Sequence, residues 1–346
     1  MTRRAFTETE SRGDERPTRF THLEWQTIVA GRPREDGVSH PCVAVVLGYY
    51  NGEEFLEDQI RSIARQNHSA LEIFVADDAS SRRVPLEALR PAADCGIPVH
   101  VARQPTNVGF SRNFLSALAA VPRRFECFAF SDQDDVWFAD KLGRAVDCLC
   151  HCPVSEPALY CGRTAITDHS GETIIGFSPR PRLSPRFTNA LVQNIAGGNT
   201  MVFNRAARDV IVASMNTHDV AAYDWWCYQI ISGAGGRLIY DPRPCLKYRQ
   251  HGHNIIGAND SWRERIVRIA ELAKGRYKFW NDLNLEALQC NRTLLTPDNQ
   301  TCLDAFVRAR RAPVLQRPLI IHRTGIRRQT PLQNLAFNSA LIFGKV

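Results

Sequence analysis

From Cys42 onward the chain repeats one pattern: a short β-branched or aromatic run, a polar cluster, then apolar positions at helical spacing. The run "CVAVVLG", Cys42 to Gly48, reads as a strand buried on both faces. In the following "NGEEFLEDQIRSIARQ", Phe55, Leu56, Ile60, Ile63 and Ala64 fall on one helical face, Asn51 and Gly52 start the turn, and Glu53 and Glu54 suit a helix N-terminus. "LEIFVADD", "IPVHVARQ" and "ECFAFSDQDD" read as three further strands. Between the last two, Phe114, Leu115, Leu118 and Ala119 share a helical face, with Ser111 as the N-cap candidate. Alternation of this kind predicts an α/β fold with a mostly parallel sheet flanked by helices.

The flanks differ from this centre. Residues 1–40 are polar and irregular and read as a flexible N-terminal tail, 41–260 as the α/β domain, and 261–346 as a basic helical C-terminal region. From Ser261 to Val346 there are 15 Lys/Arg against 6 Asp/Glu, a net +9, while the rest carries 28 against 30, or −2, giving the overall +7. A basic region of this size suits an anionic surface, phospholipid or nucleic acid, or is simply a solvated face. Two apolar stripes run through it, one through Ile266, Ile269, Ala270, Ala273, Tyr277 and Trp280, the other through Leu332, Leu335, Ala336, Ile342 and Phe343. Such stripes pack on their own domain or a partner, or lie on the inner membrane surface. The 346 residues, 44% hydrophobic, allow a substantial core. Eleven scattered cysteines, an odd number, point to a reducing cytoplasm, and Cys148, Cys150, His151 and Cys152 lack a second ligand pair at zinc-site spacing. Neither a signal peptide nor an apolar run long enough to span a membrane is expected.

Each strand runs into a polar cluster at its carboxyl end: "YYNG", "DDAS", "QPTNVGFSRN" and "SDQDD". Ligands of open α/β sheets bind outside those ends, so the four clusters are expected to share a crevice. In "FAFSDQDDVW" three carboxylates occupy four positions directly after a buried strand. If the extended backbone persists through Asp134, Asp132 and Asp134 face the same way with Gln133 opposite. Their repulsion is relieved by a hard cation, and Mg²⁺ or Mn²⁺ suits one or two carboxylates plus substrate phosphates. Asp135 reads as the N-cap of the next helix.

In order along the chain, "VLGYYNGEEFLEDQIRSI", "VADDAS", "NVGFSRN", "FSDQDDVWFADKL", "GGNTMVFNR", "YDWWCYQ" and "YRQHGHNIIGA" resemble the motifs of the family 2 inverting glycosyltransferases with the GT-A fold, in particular the rhamnosyltransferase-like branch. The resemblance covers roughly residues 42–260. In the family Thr or Ser is more usual at the position of Gly48 or Tyr49, and Tyr223 stands where it commonly has His.

The resemblance implies that Asp77 or Asp78 binds the base and ribose of a nucleotide sugar. Arg112 is then placed either near the diphosphate or in a helix-surface salt bridge. Asp132 would lie near ribose and metal, Asp134 would bind the metal, and His251, ahead of His253, would return to it. Inverting displacement needs a base for the acceptor hydroxyl. Asp224 takes that role, with Asp219 as the minor alternative and helix capping as the plain one. Trp225 and Trp226 are expected to stack on a sugar, and Gly197, Gly198, Asn199 and Thr200 to form a loop against acceptor or donor. The implied function is metal-dependent inverting transfer of a sugar, rhamnose from a dTDP-linked donor by resemblance, to a saccharide or lipid-linked acceptor in bacterial cell-surface polysaccharide synthesis. The competing readings are a catalytically silent sugar-nucleotide or glycan-binding module and, on the basic C-terminal region alone, a nucleic-acid-binding protein.

Overall fold

The computed structural model of the protein describes residues 23–31, 41–215, 219–250 and 276–346. Its strands are β1 (Gln26–Val29), β2 (Val43–Tyr49), β3 (Leu71–Asp77), β4 (Val99–Arg103), β5 (Cys127–Ser131), β6 (Val136–Trp137), β7 (Ala158–Thr167), β8 (Ile174–Phe177), β9 (Val202–Asn204) and β10 (Arg237–Arg249). They form one sheet in the order β1-β4-β3-β2-β5-β9-β7-β10-β6, with β8 paired to β7. The β-branched runs read from the sequence form its centre: β4, β3, β2 and β5 are mutually parallel. β9 runs antiparallel between β5 and β7, and β10 is again parallel to β7. This is the mostly parallel, helix-flanked α/β architecture expected, with a C-terminal helical region over 276–346.

The two-residue strand period sorts the core into two layers. Ala44, Val46, Phe74, Phe128 and Phe130 pack on one face of the sheet, and Val43, Val45, Leu47, Ile73, Val75 and Ala129 on the other. Helix Glu53–Ala64 covers the second face with Leu56, Ile60 and Ile63. Helix Phe110–Ala120 covers the first with Phe114, Leu115 and Leu118.

Four expectations change. The segment read as tail contributes an edge strand: β1 pairs antiparallel with β4, Leu23 is buried, and Trp25 packs edge-on against Phe74 at 5.1 Å. Tertiary contact orders a stretch whose local composition carried no such signal. The helix after β4 starts at Phe110, with Gly109 (φ +82°) at its N-cap instead of Ser111, a backbone angle that favours glycine. The strand carrying the acidic cluster ends at Ser131, and Gln133 and Asp134 form a turn instead of continuing it. The next helix begins only at Lys141, with Asp140 at the N-cap position, so Asp135 does not cap it.

Candidate active site

Parallel register brings the strand ends together. Tyr49 pairs with Asp77, Asp77 with Arg103, and Leu47 with Ser131, so the polar clusters after β2, β3, β4 and β5 emerge along one edge. Because β9 runs antiparallel to β5, the loop preceding it, with Gly198, Asn199 and Thr200, arrives at that same edge. The start of helix Tyr223–Gly233 is fixed there too: the Tyr223 N–H donates to Ser111 Oγ at 3.1 Å, and its ring stacks on Phe114 at 4.2 Å. Asn51 (φ +46°) and Ala79 (φ +57°) adopt left-handed backbone beside the crevice, the kind of local strain that gathers at working sites.

The acidic turn lies at the centre. Gln133 clamps it to the end of β2: its Oε1 accepts from the Tyr50 N–H at 2.8 Å and its Nε2 donates to the Tyr50 carbonyl at 3.1 Å. A Cβ at Gly52 would stand 2.1 Å from the Gln133 side chain, so this approach requires glycine. Burial, then the charges of Asp134 and Asp224, push the Asp132 carboxyl up to about 7. Asp135 is 1% exposed and is raised well above the carboxylate range, by burial first and then by Asp132 and Asp134. Its Oδ2 accepts from Asn199 Nδ2 at 2.7 Å, whereas Oδ1 is buried without a hydrogen-bond partner among the described residues. Lys141, fully buried, donates from Nζ to the Asn199 carbonyl at 2.5 Å and lies 3.2 Å from the centre of the Trp137 ring. Desolvation lowers it to about 7.

Asp224 occupies the first turn of its helix, where the N-terminal N–H groups favour a carboxylate. Burial nevertheless raises it to about 6, opposed by hydrogen bonds from the Trp225 N–H, the Asn194 side chain and the Gly198 N–H. A carboxylate with that value is deprotonated at neutral pH and more basic than an exposed one. Asp219 differs: it is exposed, and its Oδ1 accepts from both Nε and Nη2 of Arg112, at 2.8 and 2.5 Å. Of the two placements open for Arg112, this structure has the surface salt bridge.

Asp77 and Asp78 are both buried and both hold loops. Asp77 accepts from the Ser80 N–H and from Arg103, whose other nitrogen donates to the Ser80 carbonyl. Asp78 accepts from the Val108 and Gly109 N–H groups at 2.8 and 2.9 Å. Asn199 turns to Asp135 and Thr200 Oγ1 donates to the Gly197 carbonyl, so neither side chain points to an acceptor in this state. The expectation for the two tryptophans fails. Trp225 and Trp226 are 5% and 1% exposed, and their indole N–H groups donate to the Ala190 carbonyl and Ser214 Oγ. An apolar helix start on a buried face needs large rings as core, which outweighs their use on a sugar. Tyr50 and Phe110 are the accessible aromatics here, and Phe110 meets Tyr223 edge-on. His251 and His253 lie outside the described residues.

Lys141, Gln133, Arg103 and Asn194 were not singled out in the sequence. One signal was available: a lysine in the first turn of a helix opposes the helix dipole, which implies a partner elsewhere. Among the described residues no group of three or more His, Cys, Asp or Glu side chains is arranged as a complete metal cage. The donor set is nonetheless all carboxylate oxygen, with crowded charge and the orphaned Asp135 Oδ1. It fits a hard divalent cation that completes its coordination with substrate phosphates and water.

Residues 44–155, which include β2 to β5 and the acidic turn, match the model "Glycosyl transferase family 2", so the chain carries a glycosyltransferase domain of that family. It is 25% identical over 245 residues to dTDP-rhamnosyl transferase RfbG of Shigella flexneri, covering 67% of this chain and 81% of the relative. It is 31% identical over 100 residues to UDP-Glc:alpha-D-GlcNAc-diphosphoundecaprenol beta-1,3-glucosyltransferase WfgD of Escherichia coli, 29% of this chain and 38% of that one. Among solved structures, mannosyltransferase PcManGT of Pyrobaculum calidifontis, in complex with GDP-Man and Mn²⁺, aligns over 92% of this chain and 89% of its own, with 17% identity and a TM-score of 0.47.

Proposed function

We propose that this family 2 glycosyltransferase is a metal-dependent, inverting enzyme that transfers a sugar from a nucleotide sugar to a saccharide or lipid-linked acceptor in bacterial cell-surface polysaccharide synthesis. The donor we favour is dTDP-rhamnose, in line with the printed activity of the Shigella relative. The lipid-linked acceptor class is in line with the name of the Escherichia coli one. We place the reaction in the cytoplasm, at the inner surface of the membrane. Among the described residues no helix is long and apolar enough to cross a bilayer.

The observation that carries the reading is the meeting of two kinds of carboxylate at one sheet edge. Asp132 and Asp134 form a crowded acidic turn, and Asp224 stands apart on another element yet close enough for its charge to act on Asp132. Two carboxylate environments at one site suit two tasks, donor-phosphate handling and proton abstraction. Asp224 would accept the proton of the acceptor hydroxyl as it attacks the anomeric carbon from the face opposite the nucleotide. The Gly198 N–H and Asn194 hold that carboxylate in orientation. Asp132 and Asp134, with His251 by resemblance, would hold Mg²⁺ or Mn²⁺, which would neutralise the leaving diphosphate. Asp77 and Asp78 shape the wall for base and ribose through the loops they tie. Arg112 reaches the diphosphate only by leaving Asp219.

Calorimetric titration of nucleotides and nucleotide sugars, with and without Mn²⁺, on the wild type and Asp134→Ala tests this. Metal-dependent binding of one nucleotide class, lost in the variant, is expected. Absence of binding by folded protein would remove the reading. Binding without donor turnover by any acceptor extract would leave a silent sugar-nucleotide module instead.

A further inference from the structure

The last 42 residues, Ala305 to Val346, contain eight Lys/Arg and no Asp or Glu. They also carry four of the strongly exposed large apolar side chains among the described residues. Leu315 is 93% exposed, Leu332 77%, Phe343 76% and Leu335 65%. Their arrangement is regular. Helix Pro331–Ile342 has no charged residue, and its buried face carries Phe337 and Leu341. Leu332, Leu335, Ala336 and, just past its end, Phe343 recur at helical spacing on the opposite, outward side. In the preceding turn and helix Arg317–Thr324, Leu315, Leu319 and Arg323 follow one another at four-residue spacing, all exposed.

Arg317 fastens these pieces together. Its guanidinium donates to the Ala312 carbonyl after helix Pro297–Arg311, and to the Leu341 and Ile342 carbonyls at 2.8 and 3.3 Å. The end of one helix, the start of the next and the C-terminus of the last therefore meet, with Arg311, Leu315 and Phe343 around the junction. Arg323 and Arg327 are exposed at the other end of helix Arg317–Thr324 and beyond it.

We propose that this acid-free face, Leu315, Leu319, Leu332, Leu335 and Phe343 with Arg311, Arg323 and Arg327, docks the enzyme on an anionic phospholipid bilayer. It deepens the membrane-surface reading above and rests on it only for where the acceptor lies. Charge complementarity selects the occupant. A bilayer with anionic headgroups takes up arginines and exposed leucines together, the first at the headgroups and the second at the acyl boundary. A second copy of the chain would set Arg311, Arg323 and Arg327 against the same three arginines, with no Asp or Glu in residues 305–346 to offset them. Nucleic acid would meet the arginines but leave the leucines in water.

The test is co-sedimentation of the full chain with vesicles of phosphatidylglycerol and phosphatidylethanolamine, against phosphatidylcholine alone. We expect binding to the anionic vesicles only. Arg311→Gln, Arg323→Gln and Arg327→Gln together should weaken it on the order of 100-fold, at about 1 kcal/mol per cation. Leu332→Ser with Leu335→Ser should remove the fraction that survives raised salt. Donor hydrolysis by each variant in detergent-free solution reports the glycosyltransferase site separately and should match wild type. Equal binding to neutral vesicles, or none to anionic ones, overturns the proposal. So does binding to duplex DNA that the leucine variants leave intact, or a dimer in sedimentation velocity that they abolish.

Discussion

Asn199 donates from its side-chain amide to the buried Asp135 carboxylate at 2.7 Å while its own carbonyl accepts from Lys141 at 2.5 Å. One residue of the loop before β9 is thus tied to the acidic turn through its side chain and to the following helix through its backbone. The neighbouring Gly198 N–H reaches Asp224. The loop is a strut between the acidic turn and the proposed base.

Asn199→Ala removes the one side-chain hydrogen bond to Asp135 among the described residues and leaves a buried carboxyl unpaired, at a cost of about 1–3 kcal/mol. Transfer should fall further than stability explains, because the strut also positions Asp224. A kcat loss of about 10-fold or more in a variant whose unfolding midpoint stays above the assay temperature is the expected result. Unchanged kcat would detach the loop from catalysis.

Asp224, raised to about 6, sets the pH response. The rate should rise with pH through an apparent value near 6, and Asp224→Asn should lose about 10²–10⁴-fold and that limb of the profile. For stability the sign is opposite. A carboxyl whose folded value lies above its unfolded one holds its proton more tightly when folded, so its burial penalty grows as pH rises from about 4 to 6. Asp224→Asn should therefore be more stable than wild type at pH 8, by up to about 3 kcal/mol, and equal to it at pH 3.5 by denaturant titration.

Lys141→Met keeps most of the volume and removes a buried cation. Removing one member of a buried charged cluster leaves the remaining carboxylates uncompensated and is destabilising, so the melting temperature should fall. Activity should also drop, since the Asn199 carbonyl loses its donor and the acidic turn its nearby positive charge. Retained activity would show the lysine to be packing alone.

Gly52→Ala places a Cβ 2.1 Å from the Gln133 side chain. The single substitution should push the Gln133 amide off Tyr50 and cost about 1–3 kcal/mol for the two hydrogen bonds lost, and Gln133→Ala beside it should add little further. The non-additivity of a double-mutant cycle measured by urea unfolding is the readout. Additive effects would mean the clamp on Tyr50 is absent in solution.

Trp226 is core. Trp226→Ala should destabilise by roughly 3–5 kcal/mol, and Trp226→Phe should alter the melting temperature while leaving KM for donor and acceptor unchanged. A selective rise in acceptor KM would return it to a sugar-binding role.

Sequence alone determined the parallel centre of the sheet, because buried β-branched runs such as Val43–Leu47 and Ile73–Ala76 have no other stable place, and strand direction then puts every following polar cluster at one edge. It also singled out Asp132, Asp134 and Asp224, since carboxylates beside apolar runs conflict with local burial. Tertiary structure decided the rest. Whether Trp225 and Trp226 face solvent or core depends on what packs against helix Tyr223–Gly233, and their hydrogen-bond partners Ala190 and Ser214 lie outside that helix, 35 and 12 residues away. The partnerships Lys141 with Asn199, Gln133 with Tyr50 and Arg112 with Asp219 span 58, 83 and 107 residues. Hydrogen bonds between such distant groups leave no periodic trace in the chain, because only the folded sheet brings the two ends of each within reach.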